Sequence, residues 1–213
     1  MVIKNGDFVE LDFVGRIADN NEIFDLTKEN IAKENNIFNP KFSYKPIIIC
    51  VGEGDLIKSL DTGLVGKDKG EFKINIKSEE GFGKKNPVLL KLVPTKIFRK
   101  ENLRPFPGLN VNIDGSIGTV RSVSGGRVIV DFNHPLAGKD LVFDIEIKRI
   151  VKDDKEKVSS LVSKFNEKFD INIKENKLNI NLELEDKNKE VLKEKILKLV
   201  PSIKEIKFEE NKK

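Results

Sequence analysis

Ile47-Ile48-Ile49-Cys50-Val51-Gly52-Glu53-Gly54-Asp55-Leu56-Ile57-Lys58-Ser59-Leu60-Asp61-Thr62-Gly63-Leu64 changes periodicity part-way along. Its first five residues are a largely β-branched apolar run bounded by a glycine turn, which predicts a buried strand. Beyond Gly52-Glu53-Gly54, the residues Leu56, Leu60 and Leu64 recur four apart. That is the spacing of one helix face, and Gly66 then supplies a stop. A strand feeding a short helix through a glycine turn is the centre from which the rest is read.

On the N-terminal side, Val9, Leu11 and Phe13 alternate with Glu10 and Asp12, as in a half-buried strand. Asp19-Asn20-Asn21-Glu22 is a turn, and Ile23-Phe24 resumes an apolar run. Thr27 reads as the N-cap of a short helix over 28–34. On the C-terminal side, Phe72, Ile74 and Ile76 alternate, and Gly81-Phe82-Gly83 sets an aromatic in a glycine-flanked loop. Residues 87–131 are hairpin-rich, with turns at Asp114-Gly115 and Ser124-Gly125-Gly126. A long strand spans 141–150.

After a linker at 152–154 the composition becomes still more charged and lacks glycine. Val158, Leu161, Val162, Phe165 and Phe169 mark an amphipathic helix. Ile171 and Ile173, then Leu178, Ile180 and Leu182, mark two strands. Leu192, Ile196 and Leu199 mark a second helix, and Ile206 and Phe208 a last strand. An α-β-β-α-β segment of about sixty residues is marginal alone, so it is expected to dock or to dimerise.

Charged residues are 35% of the chain, against roughly 25% in ordinary domains. Lys and Glu dominate and interleave, a pattern that suits a heat-tolerant protein. The net charge is only +4 and no basic block exists, which argues against a nucleic-acid partner. No stretch reaches the roughly 20 apolar residues of a membrane span, and the N-terminal residues show no signal-peptide pattern. The expectation is a cytoplasmic protein without a membrane partner. One cysteine and one histidine cannot form a zinc cluster, and no glycine-rich phosphate loop is present, so neither a metal nor another cofactor is expected. Cys50 reads as a small buried hydrophobe, and His134 as a hydrogen-bonding loop anchor. What remains is a set of phenylalanines (Phe13, Phe24, Phe82 and Phe143) and Asp25, a carboxylate in an apolar context. Taken alone each ring reads as core, and a buried Asp25 needs a partner or a task.

Four ordered stretches resemble the FKBP family of peptidyl-prolyl cis/trans isomerases. They are Val9-Glu10-Leu11-Asp12-Phe13-Val14-Gly15, Ile23-Phe24-Asp25, Val51-Gly52-Glu53-Gly54-Asp55-Leu56-Ile57 and Glu80-Gly81-Phe82-Gly83. A fifth, Asn133-His134-Pro135-Leu136-Ala137-Gly138-Lys139 with Leu141-Val142-Phe143-Asp144-Ile145-Glu146, is similar to the closing segment of the SlyD-like branch. The extra residues over 27–44 resemble the longer loop of the archaeal long type.

The resemblance implies a twisted antiparallel sheet wrapped on a short helix with a β-rich insert in the flap; with the C-terminal α-β-β-α-β segment read from periodicity, the expected fold class is α+β. The resemblance divides the chain into an isomerase domain at 1–85 plus 133–151 and an insert-in-flap chaperone domain at 86–132; the C-terminal domain at 155–213 lies beyond the resemblance and is expected, from its size and unprotected strands, to dimerise. The resemblance assigns Asp25, Phe24, Ile57, Phe82 and Phe143 to catalysis, and Phe13, Leu56 and Leu60 to substrate contact. Ile57 is implied to offer its backbone amide to a substrate carbonyl. The implied partners are unfolded or proline-containing polypeptides; a homodimer through a helix face or strand edge of 155–213 is a separate expectation from that segment's own pattern.

Several residues depart from the family pattern. Phe13 and Phe82 stand where many members have tyrosine, Leu60 where many have tryptophan, and Lys58-Ser59 replaces a Pro-Gly-like pair. These changes count against tight macrolide binding. The histidine-rich tail of some SlyD-like members is absent, which argues against nickel. The alternative is a holdase or adaptor with a vestigial pocket.

Overall fold

The structure is a computed structural model that describes residues 2–209. In chain order its elements are β1 (Phe8–Ile17), β2 (Ile23–Leu26), α1 (Glu29–Glu34), β3 (Ile47–Cys50), α2 (Lys58–Leu64) and β4 (Gly70–Ile76). A 3-10 turn at Pro87–Leu89 precedes β5 (Leu90–Pro94), α3 (Thr95–Lys100), β6 (Asn110–Ile113), β7 (Ser116–Ser124) and β8 (Arg127–Asp131). Then come β9 (Leu141–Val151), α4 (Asp154–Val162), β10 (Asp170–Lys174), β11 (Lys177–Asn181), α5 (Asp186–Leu199) and β12 (Glu205–Glu209). The fold is mixed α+β with largely antiparallel sheets and few helices. It forms two compact units, one of Met1–Asn75 with Val142–Lys213 and the other Ile76–Leu141. The second is wider at both ends than the 86–132 segment read from sequence.

In the first unit the main sheet has strand order β2-β1-β9-β4, with β3 also paired to β1. Strand β1 is central: Val9 and Leu11 are fully buried and even Asp12 is largely so. Strand β9 alternates cleanly, with Leu141, Phe143, Ile145 and Ile147 buried and Asp144, Glu146 and Lys148 on the other face. Helix α2 buries Leu60 and Leu64. Gly63 lets it approach β4, since a Cβ there would lie 2.9 Å from Ile74 Cδ1.

Residues 154–209 follow β9 directly. Asp153, read as linker, is the N-cap of α4, and its side chain accepts the Glu156 N–H at 2.8 Å. Helix α4 ends at Val162, so Phe165 and Phe169 lie beyond it, although both still pack on the same core. The sheet β10-β11-β12 joins β10 to β11 antiparallel and β11 to β12 parallel. The apolar faces of α4 and α5 are packed within the chain: Val158, Leu161, Leu192 and Ile196 share one cluster with Phe8, Cys50 and Val151. Docking on the main sheet thus supplies the core that so short a segment lacks alone.

The second unit holds the antiparallel sheet β5-β8-β7-β6. Two-residue turns join β6 to β7 at Asp114-Gly115 and β7 to β8 at Gly125-Gly126, all four residues at positive φ. Such turns match strand twist and favour glycine, asparagine or aspartate. Val93, Val111, Val120, Val128 and Val130 form one buried face, closed by Phe98 from α3.

Candidate active site

Strands β1 and β2 do not pair evenly. Gly15 faces Asp25 and Arg16 faces Ile23, which leaves Phe24 as the extra residue of a β-bulge. A bulge re-aims the side chain it carries. The Phe24 ring is brought over Gly15, where a Cβ would lie 2.7 Å from Phe24 Cζ and 3.0 Å from Phe143 Cε1. Phe24 meets Phe143 edge-on, with centroids 5.6 Å apart and planes at 85°. Phe13 joins from β1 at 6.1 Å from Phe143. Three of the expected pocket rings therefore form one cluster centred on Phe143, which is 5% exposed. T-shaped pairs of this kind add about 0.5–1.5 kcal/mol beyond simple burial.

Phe13 is fixed by a short polar relay. Thr27 Oγ1 accepts the Phe13 N–H at 2.9 Å and donates to Asp12 Oδ1 at 2.7 Å. This corrects the reading of Thr27 as a helix cap. Lys28 occupies the N-cap of α1 without a side-chain capping bond, and the Thr27 hydroxyl is committed to the buried end of the β1–β2 pair.

Asp25 lies on β2 beside this cluster and is an exposed residue, not the buried carboxylate expected from its neighbours. Partial desolvation still pushes its carboxyl up from the ordinary value, against the lowering effect of the Leu26 backbone N–H.

Leu56 and Ile57 are half-buried and lead into α2, with Ile57 as its N-cap at φ −58°. The Ile57 carbonyl accepts Leu60 N–H and Asp61 N–H, whereas its own N–H donates to no group among the described residues. Leu60 points into the core at 2% exposure. Phe82 belongs to the second unit. Its ring stacks on His134, with centroids 4.3 Å apart and planes 2° from parallel. His134 Nδ1 accepts the Leu136 N–H at 3.2 Å, which places the proton of the neutral ring on Nε2.

A groove of about 1090 Å³ opens elsewhere in the first unit, lined by Pro46, Ile48, Phe169 and Lys164 among others, and none of the residues expected at the pocket lines it. Among the described residues no group of three or more His, Cys, Asp or Glu side chains is arranged to hold a metal ion. Cys50 is fully buried, and its thiol is pushed up to about 12, by burial first and then by Glu53 and Asp55.

Comparison with known proteins bears on what this arrangement serves. The chain is 33% identical over 150 residues to a short-type peptidyl-prolyl cis-trans isomerase of Methanocaldococcus jannaschii, covering 70% of this chain and 94% of that protein. The chain belongs to the FKBP-type peptidyl-prolyl cis-trans isomerase family. It is also 33% identical over 141 residues to a probable FKBP-type 16 kDa isomerase of Pseudomonas fluorescens, covering 62% of this chain and 90% of that protein. A SlyD isomerase of Pasteurella multocida is 31% identical over 108 residues, 48% of this chain and 54% of SlyD. The family model described as the FKBP26 IF domain matches residues 91–136, inside the second unit.

Three residues of this FKBP-type isomerase escaped the sequence reading. Gly15 carries the two rings, and a glycine inside an alternating strand is the signal for such a close approach. Asp61, 4% exposed on α2, accepts Gly52 N–H at 2.9 Å and Gly54 N–H at 3.4 Å through Oδ2. Its Oδ1 is buried without a hydrogen-bond partner among the described residues. Asp131 is 3% exposed and gathers Arg121, Lys85, and the backbone and side chain of Asn133. Nothing in local periodicity marks either aspartate, since their partners are set by the packed turns.

Proposed function

We propose that this FKBP-type isomerase rotates X-Pro bonds at the Phe13, Phe24 and Phe143 cluster, and that its second unit holds unfolded segments as a chaperone of the SlyD-like, insert-in-flap kind. The catalytic residues of this reading are Asp25, Phe24, Ile57, Phe82 and Phe143, with Phe13, Leu56 and Leu60 in substrate contact. Phe82 enters on resemblance alone.

The observation that carries the reading is the bulge at Phe24, which brings two rings together over a glycine beside Asp25. An X-Pro bond resists rotation by about 18–20 kcal/mol because amide resonance is lost on the way. The twisted imide is less polar across C–N than the planar one. An apolar wall favours the twisted form over the hydrated ground state, without covalent chemistry. A preference of about 4 kcal/mol accelerates exchange roughly a thousandfold. The Ile57 N–H orients the substrate, and Asp25 faces the rotating carbonyl.

The chaperone part rests on surface chemistry. Cross-strand partners share a face, and the pairs Leu92 with Ile129, Leu90 with Asp131 and Asn112 with Ile117 put four apolar side chains on the face opposite the valine core. Ile117 is 74% and Leu92 56% exposed. Apolar side chains exposed on one face of a sheet suit the capture of apolar unfolded segments.

The test compares Ile57→Pro with Ile57→Ala by isomer exchange on an Xaa-Pro tetrapeptide. Proline fits φ −58° and removes the N–H, whereas alanine keeps it. Ile57→Pro should lose at least tenfold more activity, since a charge-free hydrogen bond is worth about 1.5 kcal/mol at most when cleanly removed and more when a substrate acceptor is stranded. Equal rates would remove Ile57 from the mechanism. No exchange in the parent protein would leave the holdase alternative.

A further inference from the structure

The turn that delivers Leu56 and Ile57 is held from outside the isomerase sheet. Gly52 and Gly54 have φ of 89° and 74°, and a two-glycine turn has much backbone freedom to lose. Asp61 ties one side of it to α2. The other side is tied by lysines from the C-terminal segment.

Asp55, whose side chain is 6% exposed, accepts Cys50 N–H at 2.9 Å and Lys164 Nζ at 2.5 Å on the same oxygen. Lys195 Nζ of α5 lies 3.7 Å from the other oxygen. Two residues earlier, Glu53 takes Lys198 of α5 at 2.8 Å. A carboxylate removed from water requires close partners, and here two of them arrive from the segment after α4 and from α5.

We propose that the C-terminal segment is a working part of the isomerase site: Lys164 and Lys195, acting through Asp55, hold the 52–55 turn so that Ile57 presents its N–H to substrate. Asp55 and the two lysines are positioning residues in this scheme, which rests on the reading of Ile57 as the carbonyl-binding amide. Two kinds of attachment are separable. The apolar cluster that joins α4 and α5 to Phe8, Cys50 and Val151 is left intact when the lysines lose their charge. The fold then stays docked and only the turn loosens.

The test is the full chain carrying Lys164→Met and Lys195→Met, assayed on an Xaa-Pro tetrapeptide. Methionine keeps an apolar stem of similar shape while removing the charge. A loosened turn lowers the fraction of competent protein, so KM should rise about five- to thirtyfold with kcat little changed. Lys164→Arg should restore most of the loss. An unchanged KM in the double variant, with Ile57→Pro inactive, overturns the positioning role and leaves Ile57 in place. Ile57→Pro matching Ile57→Ala instead removes the underlying reading. A collapse of the melting transition in the double variant, with no recovery of KM by Lys164→Arg, makes the lysines structural supports and also overturns the proposal.

Discussion

Replacing Gly15 with alanine adds one methyl group at the point where two rings converge. The new Cβ would sit 2.7 Å from Phe24 Cζ and 3.0 Å from Phe143 Cε1. Carbon atoms rest at about 3.5–4.0 Å, so one ring or both must retreat by roughly 1 Å. Phe143 has little room, being 5% exposed and backed by Phe13. Phe24 is half-buried on a bulge, so it moves first. Gly15 is not at positive φ, which leaves steric overpacking as the cost, about 1–3 kcal/mol. At about 2–4 °C per kcal/mol for a chain of this size, the melting temperature should fall by roughly 2–12 °C.

The same displacement breaks the edge-on pair that the proposed pocket needs. A misplacement of about 1 Å costs up to a hundredfold in rate, so kcat/KM on an Xaa-Pro peptide should drop between tenfold and a hundredfold. Gly81→Ala is the control. Its Cβ would meet Ile76 and Leu141 at 3.5 and 3.6 Å, ordinary contact, and the melting temperature should barely change. Adding Phe24→Leu to Gly15→Ala should recover part of the lost stability but none of the activity, a coupling that a double-mutant cycle measures. Parent-like melting and turnover in Gly15→Ala would refute the reasoning, since the rings would not depend on the missing methyl group.

Asp25→Asn should cut the exchange rate at least tenfold. A carboxylate whose folded pKa lies above its unfolded value costs stability once it ionises, so the same change should leave melting at pH 7 unaltered or slightly raised, as calorimetry would show. Asp131 behaves in the opposite way. Burial alone would raise its pKa, but bonds from Asn133, Arg121 and Lys85 outweigh it and hold the carboxyl far below the usual range. Its stabilisation is complete above about pH 4 and drains away as pH falls toward the depressed value; Asp131→Asn should therefore destabilise the second unit at pH 7 and converge with the parent in strong acid. Replacing Leu92 and Ile117 with threonine should weaken suppression of aggregation in a refolding protein while short-peptide exchange persists, and equal suppression would detach that face from client binding. A dimer through 155–213 would use the edges of β10 or β12 or the exposed Val191 and Leu197 of α5, since the main α4 and α5 faces are packed in the chain; light scattering that gives a monomer at micromolar concentration removes it.

Legibility in the sequence followed the range of the interactions. Alternation along Val9-Leu11-Phe13 and the four-residue spacing of Leu192 and Ile196 are local, and β1 and α5 run through them. Helix α3 has six residues and one buried side chain, Phe98, too little for a period to register. Val88, Leu90 and Leu92 belong to an apolar run in the sequence, yet those side chains face solvent. Composition marks apolar residues but not which of them the fold leaves uncovered. At the site, the rings were recognisable by resemblance, while the bulge that aims Phe24 depends on a register between two strands. No single strand carries that information.

The opposite face of the main sheet explains how the chain reconciles 35% charged residues with an apolar site. Along β9 the residues between the buried ones are Asp144, Glu146 and Lys148, and each reaches across strands. Asp144 pairs with Arg16 of β1 and with Lys73 of β4; Glu146 takes Lys28 at 2.7 Å, and Lys148 lies 3.3 Å from Asp12. The two lysines, Lys148 first, hold the Glu146 carboxyl down at about 2. Single exposed pairs contribute little, but a network that spans three strands restrains their register. Along β9 charge is thereby carried by Asp144, Glu146 and Lys148 on one face, while Phe143, Ile145 and Ile147 stay buried on the other.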